Sequence, residues 1–219
     1  MDKMLTAEQA IAMIPDGSTI MIGEFGLRGC PDDLVDALAA SGKKDLTIIS
    51  NDLGSPGIGL GQLMSNHQVK KLIGSHYNKN PMAIEAYNAG EIEIQLLPQG
   101  TFAEAIRAGG MGIPAFYTPT GVGTTLAEGK EERVFDGRTY ILERALHADF
   151  ALVKAQTADK MGNLIYHAAA RNFNPMMAIA AACTIAQVDE VVEVGALKPD
   201  TIITPHIVVN AIVKRGAEA

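Results

Sequence analysis

Apolar residues in the first half of this chain gather into short unbroken runs, separated by stretches of helical period. "TIMIG" (19–23), "LTIIS" (46–50) and "KLIG" (71–74) are such runs, each closing on a small residue, and they suit strands covered on both faces. The intervening stretches predict helices. Thr6 with Gln9 three residues later has the form of a capping box, and Ile11 and Ile14 then share a face before Pro15-Asp16-Gly17 breaks the pattern. Pro31 fits a first helical position, Leu34, Val35 and Leu38 make an apolar stripe, and Gly42 marks a stop. "PMAIEAYNAG" from Pro81 reads as a helix, "IEIQLLP" from Ile92 as a strand, and "TFAEAIRAGG" from Thr101 as a helix opened by the Thr101 hydroxyl. Strands alternating with helices imply a parallel sheet with helices on its faces.

Past the midpoint the pattern changes. In "VFDGRTYIL" (134–142), Asp136-Gly137 stands between two β-prone runs, the signature of a two-residue hairpin turn. "FALVKA" (150–155), "TIAQVD" (184–189) and "TIITP" (201–205) then read as strands, and the all-apolar "PMMAIAAA" (175–182) as a buried helix. "HIVVNAIV" (206–213) fits a helix or a strand. The expected fold is therefore α/β: an open, largely parallel sheet flanked by helices, with a small antiparallel hairpin insertion, forming a single domain over residues 1–219.

Composition narrows the function. A net charge of −7 with no run of Lys or Arg lacks the electrostatic footprint of a nucleic-acid binder. No apolar stretch approaches the ~20 residues that cross a bilayer, and no basic segment leads into an apolar one at the N-terminus, so a cytoplasmic protein without membrane contact is expected. Cys30 and Cys183 stand far apart with no CxxC, which indicates free thiols. The 5 histidines form no HxxxH or HExxH pattern, so no metal is expected.

Candidate chemistry concentrates in loops that follow strands. Gly23, Gly26 and Gly29 in "GEFGLRG" lie between a strand and a helix, where backbone N–H groups and the helix dipole attract anions. Yet the spacing is not GxGxxG, Pro31 removes a donor, and Glu24, Asp32 and Asp33 oppose an isolated phosphate site. Glycines that merely permit positive φ or close packing remain an equal reading. A second glycine-rich loop, 51–61, has Ser50, Asn51 and Asp52 at its mouth, where open α/β sheets place ligands. "GTTLAEGKEE" lacks the spacing of a Walker loop. Cys30 lies near a helix start, but its aspartate neighbours oppose a thiolate. Arg28 and Arg107 are candidate clamps for carboxylate or phosphate. No nucleophile context such as GxSxG is found, so the residues alone describe an α/β ligand-binding domain with an incomplete active site.

Several longer stretches resemble the alpha subunit of the family I CoA-transferases. They are "DGSTIMIGEFGLRGCP" (16–31), Ile48-Ile49-Ser50-Asn51-Asp52, "LLPQGTFAEAIRAGGMGIPAFYTPTGVGT" from Leu96, "DGRTYILERALHADFALVKA", "ARNFNP" from Ala170 and "TPHIVV" from Thr204. The resemblance implies ping-pong transfer of CoA between short-chain carboxylic acids such as acetate, butyrate or a 3-oxoacid like acetoacetate. A glutamate attacks an acyl-CoA thioester, and a glutamyl-CoA thioester follows. In the family that glutamate lies on a beta subunit, in a Ser-Glu-Asn-Gly motif that does not occur here. The implied assembly is α2β2, with coenzyme A as a substrate thioester and no separate cofactor. The resemblance assigns Gly23, Glu24, Phe25, Gly26, Leu27, Arg28 and Gly29 to CoA binding, and Asn51 and Gln99 to the acyl pocket. Where the family usually has Gly-Gly-Phe, Glu24 replaces the second glycine. It is expected to alter the acyl pocket, pair with Arg28 or face solvent, and with Arg28 to tune acid selectivity. The alternative reading is a non-catalytic metabolite sensor with a sugar-phosphate isomerase-like fold.

Overall fold

The computed structural model describes residues 3–216. The chain opens with helix α1 (Ala7–Ala12), whose N-terminus carries the expected capping box: Gln9 N–H donates to Thr6 Oγ1 at 3.2 Å and Thr6 N–H to Gln9 Oε1 at 3.0 Å. Then follow β1 (Thr19–Ile22), α2 (Asp32–Ala40), β2 (Leu46–Ile49), α3 (Gly61–Ser65), β3 (Val69–Gly74), α4 (Pro81–Asn88), β4 (Glu93–Leu96) and α5 (Gln99–Gly110). After β5 (Ala115–Thr118), β6 (Glu132–Phe135) and β7 (Arg138–Arg144) come β8 (Ala148–Asp159), β9 (Leu164–Ile165), α6 (Asn174–Ala180), β10 (Ala181–Val192) and β11 (Ala211–Lys214).

The main sheet has the order β11-β10-β8-β1-β2-β3-β4, with every neighbouring pair parallel; β9 adds an antiparallel flank to β8. Strand β1 is central and its apolar residues are buried on both faces, as its unbroken hydrophobic run requires. One face is covered by a core around Ile20, Leu34, Leu38, Ile48 and Leu72, the other by a core around Met21, Ile49, Phe102, Met177 and Ile212. Successive residues such as Ile20 and Met21 therefore serve different cores, following the two-residue period of a strand.

Several local expectations need correction. The Asp136-Gly137 hairpin is present, but Ala115–Thr118 joins it, so the insertion is a three-stranded antiparallel sheet of order β5-β7-β6. Helix α5 starts at Gln99 rather than at a Thr101 cap; Thr101 is buried and its hydroxyl has no hydrogen-bond partner among the described residues. "TIITP" is not a strand: residues Pro199–Thr201 form a short 3-10 helix, and Thr204 makes a single bridge to Leu164. The ambiguous segment splits into a 3-10 turn, His206–Val208, and strand β11. The apolar helix ends at Ala180, where the same small residues pass directly into β10, and its Met176 is exposed. No helix among the described residues is long and apolar enough to cross a membrane.

Candidate active site

All parallel strands of the sheet point their C-terminal ends to one edge, and β1 runs beside β2 on one flank and β8 on the other. The chain proceeds outward from β1 through β2, β3 and β4, then returns to β8, making the β1–β8 boundary a topological switch point of the kind that hosts ligands. The loops after β1, β2, β3 and β4 gather at this edge.

The loop after β1 is a tight turn. Phe25 N–H donates to Arg28 O at 3.0 Å and Arg28 N–H to Phe25 O at 3.1 Å. Gly26 and Leu27 between them have φ of +58° and +66°, the positive pair that a type I′ turn demands. Glycine adopts this at no cost; leucine does not. The two central N–H groups are held from below by carboxylates: Gly26 N–H by Asp52 Oδ2 at 2.9 Å and Leu27 N–H by Glu24 Oε2 at 2.8 Å. Four successive N–H groups, from Phe25 to Arg28, thus have internal acceptors. The turn is not the phosphate cradle that its glycines suggest.

Glu24 is fully buried. Its Oε1 accepts from Ser50 Oγ at 3.0 Å and from Asp52 N–H at 3.2 Å. Burial, with the charge of Asp52 added, pushes its carboxyl up to about 7, against the lowering effect of these hydrogen bonds. Of the outcomes expected for Glu24, exposure to solvent and pairing with Arg28 are not what the structure shows: no ion pair joins the two, and Arg28 is exposed. Arg107 pairs instead with Glu104, one turn earlier on α5. Cys30 is buried, and burial together with Asp32 drives its thiol well above the ordinary range, which leaves it unreactive.

Asn51 and Gln99 do meet. Gln99 Nε2 donates to Asn51 Oδ1 at 2.7 Å, Ser75 Oγ donates to the same oxygen at 2.9 Å, and Asn51 Nδ2 donates to Asp52 Oδ2 at 3.2 Å. Gln99 sits in the first turn of α5, exposed, and its side chain crosses from the end of β4 to the end of β2. A groove of about 450 Å³ opens beside this pair, lined by Ser75, His76 and Tyr77 and by the apolar Ile84, Tyr87 and Leu96.

Two contributors escaped the reading of the sequence. Ser75 closes the Asn51–Gln99 pair, and nothing marks it in "IGSHYN". Asn174 is the other: wholly buried, its Nδ2 donates to Gly29 O at 2.9 Å and Ala170 O at 3.0 Å while its Oδ1 accepts from Lys154 N–H at 2.8 Å. It locks the first loop to β8, and a Cβ on Gly23 would lie 1.9 Å from that Oδ1. Gly23 is thus a glycine of close packing. A polar residue opening an otherwise apolar helix was the available signal. The crevice at the switch point itself, about 230 Å³, includes Leu27, Gly29, Lys154, His167 and Arg215, with Lys154 paired to Asp189. Among the described residues no group of three or more metal-ligating side chains comes together.

The arrangement offers amide donors and a fixed turn but no paired nucleophile and base among the described residues. Comparison with known proteins accords with that incompleteness. The sequence profile described as coenzyme A transferase matches residues 4–215. The chain is 51% identical over 97% of its length to one subunit of a probable succinyl-CoA:3-ketoacid coenzyme A transferase of Bacillus subtilis, covering 90% of it. It is 54% identical over 93% of its length to one subunit of 3-oxoadipate CoA-transferase of Pseudomonas putida, covering 89%. To the alpha subunit of acetate CoA-transferase of Escherichia coli it is 47% identical, covering 96% of each. A crystal structure of an acyl-CoA transferase from E. coli O157:H7, in a thioester complex with CoA, superposes with TM-score 0.88 at 22% identity; it covers 100% of this chain, which spans only 48% of that one. Glutaconate coenzyme A-transferase from Acidaminococcus fermentans gives TM-score 0.84 at 19% identity, covering 97% of this chain and 75% of its own.

Proposed function

The chain belongs to the coenzyme A transferase family, and from that membership we propose that it is the alpha subunit of an enzyme that moves CoA between short-chain carboxylic acids. The observation that carries the reading is the site itself: the Asn51–Gln99 amide pair stands at the strand ends, and among the described residues no nucleophile paired with a base stands beside it. The chemistry then needs a second chain. A glutamate of the beta chain attacks the acyl-CoA carbonyl, and the CoA thiolate leaves to give an acyl-glutamyl anhydride. The thiolate next attacks the glutamyl carbonyl, releasing the first acid and forming a glutamyl-CoA thioester. The acceptor carboxylate attacks that thioester, again freeing thiolate, and thiolate attack on the new acyl carbonyl returns the glutamate.

Each addition builds charge on a carbonyl oxygen. In this reading the side-chain amides of Gln99 and Asn51 donate to that oxygen, a role in which one positioned donor is worth ~3 kcal/mol. CoA binds along the loop from Gly23 to Gly29. Because the turn's N–H groups are taken internally, its contacts with CoA and the acyl group come from the exposed Phe25 and Arg28. Arg28, a cation without an ion-pair partner among the described residues, selects acids that carry a second carboxylate. The assembly is α2β2 and its setting cytoplasmic, in keeping with Cys30 and Cys183 as free thiols. Co-purification with the chain encoded alongside it, followed by an exchange assay with acetyl-CoA or succinyl-CoA and a panel of acids, tests the proposal. Exchange by the pair and not by either chain alone is the expected result; no exchange with any donor contradicts it.

A further inference from the structure

We propose that Glu24 is a positioning residue for the transfer reaction: it holds the Phe25–Arg28 turn in its left-handed form and ties that turn to the Asn51–Gln99 pair. The inference rests on reading the chain as part of a CoA-transferase. Its basis is a buried carboxylate whose hydrogen bonds all come from the loops of the site. Burying a carboxylate without a cation is unfavourable, and a charge retained in such a place needs donors that compensate it. Glu24 has three: Leu27 N–H on its own loop, and Ser50 Oγ and Asp52 N–H on the next.

From there the connection runs on without a gap. Asp52 holds Gly26 N–H from the same turn, Gly54 N–H from its own loop and Asn51 Nδ2, and Asn51 Oδ1 holds Gln99. Leu27 closes the arrangement from the other side. Its Cδ2 lies 3.0 Å and 2.7 Å from where Cβ atoms on Gly54 and Gly59 would stand, so the leucine forced into positive φ packs on the second loop's backbone. Glu24 thus fixes, through one side chain, a strained turn, the loop beneath it and the amides that face the acyl group. A purely structural anchor would have no reason to reach all three.

The groups facing Glu24 are Asp52 from the loop after β2, the Tyr77 hydroxyl from the loop after β3, and Cys30 from its own loop. None is a cation. Ionisation of Glu24 puts a charge beside Asp52 in a buried site without a cation, which burial disfavours. The turn therefore loosens as pH rises through neutrality.

The test uses the complex with the partner chain, following kcat and KM for the acceptor acid from about pH 6 to about pH 8, together with amide hydrogen exchange across residues 25–28. Glu24→Gln is expected to lower kcat/KM about tenfold, chiefly through KM, because an amide nitrogen in place of Oε2 cannot accept from Leu27 N–H, to remove the wild-type loss of activity above about pH 7, and to speed exchange at the Leu27 amide. An unchanged pH profile, or unchanged exchange at Leu27, overturns the proposal. If that variant fails to assemble, Ser50→Ala decides the matter: it withdraws one hydrogen bond from an intact carboxylate, and the alkaline limb must move to higher pH. A limb that stays in place overturns the proposal equally. A wild-type complex that transfers no CoA contradicts the functional reading instead, and the exchange at Leu27 still decides the role of Glu24.

Discussion

Glu24 Oε2 accepts the backbone N–H of Leu27 at 2.8 Å, and Leu27 holds a φ of +66°. A left-handed non-glycine residue costs roughly 1–2 kcal/mol, so the hydrogen bond and the conformation belong to one device. The turn that results presents Phe25 and Arg28 outward and sends its N–H groups inward, the reverse of a phosphate-binding loop.

Stability records the burial of Glu24. Its carboxyl titrates near 7 in the folded chain against 4.5 for an ordinary glutamate. Between those values the folded state keeps a proton that the unfolded chain has released, so stability is highest below the lower value and declines as pH rises through the upper one. The decline amounts to roughly 3 kcal/mol at most. Urea denaturation at about pH 5 and about pH 8 shows it, and Glu24→Gln flattens the difference. Equal slopes of stability against pH in both proteins count against the burial argument.

Gly23 and Asn174 are coupled. Gly23→Ala sets a methyl 1.9 Å from Asn174 Oδ1 and is expected to destabilise by about 2 kcal/mol. Asn174→Ala alone leaves Lys154 N–H and Gly29 O without their partner. The double variant relieves the clash, so its loss is smaller than the sum of the two singles. Thermal unfolding of the four proteins gives the cycle, and strict additivity contradicts the contact.

For Asn51 and Gln99, replacement of either by Ala lowers kcat by roughly 10²-fold or more; the thermal midpoint changes little for the exposed Gln99 and falls for the buried, hydrogen-bonded Asn51. Because each amide orients the other at 2.7 Å, the double variant falls only slightly below the worse single. Steady-state kinetics of the assembled enzyme tests this, and fully multiplicative losses would separate the two roles.

Arg28→Ala is expected to lower kcat/KM about tenfold for acceptors with a second carboxylate and to leave acetate nearly unchanged. Glu24→Gly, by releasing the turn, is expected to change the same ranking. Competition assays with mixed acids read it directly. A ranking preserved in both variants removes selectivity from this loop.

Much of this fold is written locally. The Thr6–Gln9 box, the unbroken run of Thr19–Ile22 and the Asp136-Gly137 turn each follow from neighbouring residues, and each is found. The failures come where distant partners decide. Thr101 looks like a cap, yet the helix begins two residues earlier and the hydroxyl is buried. Ala115–Thr118 becomes a strand only because β7 offers it an edge, and "TIITP" pairs too little to be one. At the site, Asn51 is legible as a polar residue at a strand end and Gln99 only through the family resemblance, whereas their contact across 48 positions is not legible at all. The inward course of Glu24 depends on donors from residues 50 and 52, which no local pattern announces.

The central claim, that this chain builds half of a transfer site whose covalent residue lies elsewhere, is tested most directly by mass spectrometry of the complex trapped with acyl-CoA and no acceptor. The account predicts a CoA adduct on a glutamate of the partner chain and none on Glu24 or any other residue of this one. An adduct carried by this chain would contradict it.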